Sequence, residues 1–314
     1  MRRIAAFACL LFGIASVASA ENGIVGGEFL LIPVGARAAA MGQAFTAVPA
    51  NTPDALIYNP SANAFISSNT ISADYMRGFD GDGTGLFAAA VPLGRVVITP
   101  ALLYYNAGTM DLNLSDGTNG SVIAEEDYVY MGAAALRMLD FLAVGGSYKS
   151  WRSTLAQTAT AKGTSYDLGA MALLPYGFSA GYAVLNMGDD IKYDAYADPA
   201  PKTNRAGIAW HIRRSQFDED PDPTAANADF DILFSGDYVK TVDEDGYYQF
   251  GSEATTKISD NSTFALRGGY MMDRDNQTIT FGAGFRAAGW GFDYAYGGAR
   301  MLDAVHQFSI SCSF

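Results

Sequence analysis

Arg37 is the first residue whose type and setting ask for an explanation. It lies in the run Pro33-Val34-Gly35-Ala36-Arg37-Ala38-Ala39-Ala40-Met41-Gly42-Gln43-Ala44-Phe45, among side chains too small to shield it. A guanidinium buried there needs a carboxylate, since an unpaired buried charge is costly. Asp293 or Asp231 are the candidate partners, against an exposed Arg at one mouth of the fold. Arg267, Arg286 and Asp293 form a second charged set. They could make a ligand or selectivity site, but a structural charge ladder is the favoured reading. Asp54 and Asn59 could contact a ligand, yet their types suit capping and turn formation better. Asp229, Asp231 and Asp237 share one face without the ligand spacing of a metal site. His211 and His306 are the only neutral-pH bases. With no Gly-x-Ser-x-Gly or His-Glu-x-x-His motif, neither an enzyme nor a cofactor is expected.

The elements that must position these charges are strands. From Thr70 onward the chain alternates apolar and polar residues, with Gly, Asp, Asn and Pro clusters between segments. Phe308, Ile310, Cys312 and Phe314 oppose Gln307, Ser309, Ser311 and Ser313; Ile279, Phe281 and Phe285 oppose Thr280, Gly282 and Arg286. A soluble sandwich and a membrane barrel share this pattern with inside and outside exchanged. A terminal aromatic residue, Phe314, which resembles an outer-membrane insertion signal, favours the barrel. So do aromatics near strand ends (Tyr104-Tyr105, Tyr128, Tyr130, Trp151, Trp210, Tyr247-Tyr248) that could form interfacial girdles. About fourteen strands are expected, with tight turns at 93–94, 139–140, 175–176 and 288–289. Longer connections are expected at 107–125, 153–162 and 188–201. The acidic connection 214–227 breaks the rule by falling at the short-turn end.

Met1-Arg2-Arg3, an apolar run to about Val17 and Ala18-Ser19-Ala20 read as a cleaved signal peptide over residues 1–20. Residues 21–69 are then a plug or hatch segment, small and Gly-punctuated, and 70–314 the transmembrane antiparallel β-barrel. The net charge of −13 argues against a nucleic-acid partner, which needs a basic face.

The run ending at Phe45, followed by Asp54-Ala55-Leu56-Ile57-Tyr58-Asn59-Pro60-Ser61, resembles the PorV/PorQ family. Its members carry an Ala-Arg-Ala-x-x-Met-Gly-x-Ala-Phe pattern followed by Asp and Asn-Pro-Ala, and Ser61 departs from it. The resemblance rests on roughly residues 32–65 and makes Gly35, Ala36, Arg37, Met41, Gly42, Asp54, Asn59 and Pro60 the motif residues. It implies an outer-membrane barrel related to the FadL-like superfamily. The implied function is an accessory of type IX protein secretion that binds exported cargo or other secretion components, with outer-membrane lipid around it. The alternative it implies is a FadL-like channel for a hydrophobic small molecule.

Overall fold

The computed structural model describes residues 26–78, 82–113, 119–213, 230–272, 277–299 and 304–314. The expected signal peptide, the acidic connection 214–227 and Asp229 lie outside these residues. The elements are β1 (Thr70–Arg77), β2 (Gly83–Leu93), β3 (Val96–Asn106), β4 (Thr109–Asn113), β5 (Asn119–Ile123), β6 (Glu125–Leu139), β7 (Leu142–Leu155), β8 (Ala159–Leu173) and β9 (Phe178–Gly188). They continue with β10 (Ile191–Lys192), β11 (Ala197–Asp198), β12 (Thr203–Arg213), β13 (Phe230–Thr241), β14 (Tyr247–Ser259), β15 (Ser262–Met272), β16 (Gln277–Ala287), β17 (Trp290–Ala299) and β18 (Val305–Ser313).

Fourteen of these close into one antiparallel barrel, β1 pairing with β18 along Thr70–Arg77. The strand boundaries match the alternation to within a few residues. β4–β5 and β10–β11 are small hairpins in the connections 107–124 and 189–202. Closure removes every exposed sheet edge, the condition for spanning a bilayer with strands. The outward residues are apolar: Phe87, Leu168, Ile208, Leu266, Phe281 and Phe308 are all exposed. Aromatic contacts collect towards the two ends, with Phe178 stacked on Trp210 at 5.3 Å and Tyr104 against Tyr128 at 5.0 Å.

Three expectations need correction. The stretch 153–162 is strand on both sides of a turn at 156–158, not a long loop. Trp151, Tyr105 and Tyr247 do not belong to the girdle. Trp151 and Tyr247 are buried on the lumen face, and Tyr105 packs partly buried against a lumenal cluster. Finally, Arg37 meets neither Asp293 nor Asp231; Glu253 is its partner.

The tight turns follow from backbone chirality. At the β16–β17 hairpin, Ala288 (φ 50°) and Gly289 (φ 84°) both take positive φ, as a two-residue turn matched to the strand twist requires. Several ladders are irregular, and the one between β2 and β3 has a gap. Between β2 and β3 the register runs to Ala88 opposite Ala101 and resumes at Val91 opposite Ile98. The skipped positions are Ala89 and Ala90 against Thr99 and Pro100, where the proline has no N–H to give.

Candidate functional site

Residues 26–69 are largely buried and pack against the barrel strands, along a path set by how closely backbone can approach backbone. A five-residue α-helix, α1 (Ala36–Ala40), starts at Gly35 (φ 103°) and packs on β15 to β18. The 3-10 turn Pro60–Phe65 packs on the opposite wall, against β6, β7 and β8. Gly42 (φ 61°) sits where a Cβ would meet the Phe250 carbonyl at 2.8 Å and the Tyr270 amide at 2.9 Å. On the wall, the space at Gly269 is taken by the Gly42 amide, and that at Gly169 by the Asn59 side chain. Glycine at these lumen-facing positions makes room for a second layer of chain.

Polar bonds fasten this segment from Pro33 to Phe65. Arg37 donates from Nε and Nη2 to Glu253 at 2.8 and 2.7 Å, and from Nη1 to Asn51 at 2.9 Å. Glu253 accepts in turn from Arg267 at 2.6 Å, Arg267 reaches Asp293 at 2.7 Å, and Arg286 reaches Asp293 at 3.3 Å. Arg267, Arg286 and Asp293 therefore form a ladder, as expected, and the segment's own arginine joins it through Glu253. Burial alone would lower the Arg37 pKa; the adjoining Glu253 carboxylate overrides this and the net shift is upward. Asp54 is buried, its Oδ1 accepts no hydrogen bond, and burial raises its pKa above the usual carboxylate range.

A second anchor was not singled out from the sequence. Asp237 Oδ2 accepts from the Phe45 and Thr46 amides, both at 3.0 Å, and from the Thr46 hydroxyl at 2.6 Å. Arg205 donates to Thr46 Oγ1, the Gln43 carbonyl, Asp237 and Gln249, and lies over the Tyr58 ring at 5.3 Å. Asn59 is the cap it was read to be: its Oδ1 accepts from the Ser61 amide at 3.1 Å. Its Nδ2 also donates to Thr46 and Ala170 carbonyls, tying segment to wall. Pro60 opens the following turn, Met41 is fully buried beside Phe45 and Tyr58, and the Ala36 amide donates to Ser309 Oγ, which donates to Asp74. Asp231 stands apart, 3.7 Å from His211 and half exposed. Among the described residues no group of three or more His, Cys, Asp or Glu gathers as a metal site.

The end of the lumen beside the longer connections is different. Phe29, Val34 and Leu56 pack there against Leu86, Leu103, Val129, Met131, Trp151, Ala161 and Ile191. Phe29 meets Trp151 edge-on with centroids 5.8 Å apart. Ile191 and Tyr193, from the 189–202 connection, cover the cluster, and the Gly26 amide is held by the Pro199 carbonyl at 3.2 Å. Transmembrane barrel interiors are usually polar. Here an apolar compartment at the loop end is filled by a phenyl ring from the N-terminal segment, while a second apolar cluster, around Met41, Phe45 and Tyr58, lies among the polar anchors. Behind the interrupted β2–β3 ladder lie Ala90 and Val97, packed with Ile66 and Phe65, and Asn63 donates to Thr99 Oγ1 at 3.2 Å.

Two concavities stand out. One of about 500 Å³ faces lipid, between Tyr75, Phe264, Phe285, Phe292 and Phe308. The other, beside Ala39 and Gln43, is about 10 Å³ and at the limit of holding one water.

No family model and no curated protein matches the chain in sequence. Solved structures do share the fold. The toluene transporter TbuX of Ralstonia pickettii is 12% identical over 89% of this chain and 98% of its own, with a TM-score of 0.54. A FadL homologue of Pseudomonas aeruginosa is 14% identical over 90% and 99%, at 0.53. The monoaromatic hydrocarbon channel CymD is 13% identical over 90% and 98%, at 0.59. The likeness shows a FadL-like barrel fold. It lends no support to the PorV/PorQ branch or to a secretion role.

Proposed function

We propose that this chain is an outer-membrane channel for hydrophobic small molecules, held closed by residues 26–69 acting as a plug. One observation carries the reading: the apolar compartment around Phe29 and Trp151 at the loop end of the lumen. A structural plug needs only polar anchors of the Arg37 and Asp237 kind. An apolar chamber at the entrance supplies what a hydrophobic solute needs on leaving water, about 25 cal/mol per Å² of apolar surface buried. Phe29 occupies the place such a solute would take, so entry and displacement of the residue 26–32 hook are one event.

The interrupted β2–β3 ladder suggests where a solute could leave sideways. Ala88, Ala89, Ala90, Thr99, Pro100 and Ala101 are all small, and the ladder there lacks two successive pairs. The named channels of the same fold, described as carrying toluene or monoaromatic hydrocarbons, favour this reading over cargo binding in secretion. The test is uptake of radiolabelled toluene and of a long-chain fatty acid by cells whose lipopolysaccharide barrier is intact. Cells producing the protein should take up at least one of them faster than cells producing Phe29→Trp, whose larger side chain keeps the chamber filled. Equal uptake of both compounds would overturn the reading.

A further inference from the structure

The apolar chamber has a polar rim, and among the described residues one group there is left without a hydrogen bond of ordinary geometry. Asp127, on the lumen face of β6, is fully buried, and neither of its carboxylate oxygens accepts a hydrogen bond of ordinary geometry. The Ser153 hydroxyl, the Thr154 amide and the Glu125 carboxyl lie beside it, none of them at ordinary hydrogen-bond geometry. Ser153 is engaged instead with the Tyr193 hydroxyl at 2.6 Å, and at 3.4 Å with Glu125. One step down the same pair of strands, Trp151 is 2% exposed and its indole N–H also finds no acceptor. Tyr105, opposite Asp127 in the register, and Tyr193 both pack against the apolar cluster. Burial pushes the Tyr193 phenol up to about 12, so it stays a proton donor at physiological pH, already committed to Ser153.

Buried polar groups left without partners are rare because each one forfeits its hydration. A carboxylate that lacks donors and an indole that lacks an acceptor, at the rim of one chamber, are a complementary pair waiting for a group that is both donor and acceptor. From this geometry we infer that the chamber takes hydrophobic molecules bearing a single donor head, a hydroxyl or an amine. The head is read by Asp127 and Trp151 while the apolar body replaces Phe29. A carboxylate head is rejected, since its charge would be stripped of water beside the acidic side chains of Asp127 and Glu125. The inference rests on the channel reading above and specifies its substrate class.

The experiment is equilibrium dialysis of the detergent-solubilised full chain against four labelled compounds of one shape: ethylbenzene, 4-ethylphenol, 4-ethylaniline and 4-ethylbenzoate, each corrected for protein-free micelles. Binding of the phenol and the aniline should exceed that of ethylbenzene by at least about tenfold, with the benzoate weakest. Asp127→Leu should bring the phenol down to the level of the hydrocarbon. Asp127→Asn, which keeps shape and one acceptor oxygen, should keep part of the preference and guards against a folding defect in the leucine variant. Equal binding of phenol and hydrocarbon, or a preference that survives Asp127→Leu, would overturn the inference and leave the channel reading standing. Binding of none of the four would overturn both.

Discussion

The two ends of the lumen hold the same N-terminal segment differently, one by polar bonds added to apolar packing and the other by apolar packing with few such bonds. From Pro33 to Phe65 the segment is bonded to the wall through Arg37, Asp237, Arg205, Asn59 and Ser309. From Gly27 to Ile32 it rests largely on apolar contact under the 189–202 connection. Buried charge networks are rigid because breaking one leaves a partner unpaired in a low-dielectric interior. Apolar contact is non-directional and can be exchanged for another apolar body of similar size. On the channel reading proposed above, the difference assigns the roles of a fixed floor and an exchangeable cover.

The largest expected effect is on the floor. Glu253→Ala leaves Arg37 without a carboxylate and Arg267 with Asp293 alone, and should cost about 3–5 kcal/mol, seen as an earlier urea midpoint in heat-modifiable electrophoresis. A shift no larger than that of a surface substitution would mean that solvent already reaches the ladder. Asp237→Ala removes four hydrogen bonds to the Phe45–Thr46 turn and Arg205. A loss of about 2–4 kcal/mol is expected, with protease cleavage appearing near residues 43–47. On the cover, Phe29→Ala should leave the barrel's midpoint almost unchanged while raising uptake of toluene several-fold. If it destabilises the barrel as much as Glu253→Ala does, the two regions are not different in kind.

The smallest effect concerns pH. Burial raises the Asp54 pKa, so its protonated form is favoured in the folded state. The stabilisation from this group is complete below the ordinary carboxylate value and is lost as pH rises through the raised one. Wild-type protein should then become more protease-sensitive in the segment as pH rises across that window, and Asp54→Asn should flatten the profile. A profile identical in both would remove Asp54 from the account.

Much of the barrel was legible because its outward face is under one strong constraint, contact with lipid, which writes itself as period-2 alternation. The charge ladder was legible for the same reason, since Arg267, Arg286 and Asp293 oppose long apolar faces. The turn at 156–158 was hidden because Ala156 (φ 45°) and Gln157 (φ 59°) take left-handed conformations without the glycine or asparagine that usually marks them. Trp151 was misplaced because alternation gives two faces but not which is inside when both carry rings. Glu253 was missed as the partner of Arg37 since pairing across the lumen depends on barrel closure, which no local pattern encodes. The lumen-facing glycines, Gly169, Gly251 and Gly269 among them, were an available signal: a wall without side chains implies something packed against it.

The central claim is that Phe29 stands in for a hydrophobic solute. It is tested most directly by equilibrium binding of a labelled monoaromatic to purified wild-type and Phe29→Ala protein. Removing a ring whose burial is worth about 1.5–3 kcal/mol should tighten binding by about tenfold or more, since each 1.4 kcal/mol is a factor of ten. Unchanged affinity, or no binding to either protein, would contradict the account.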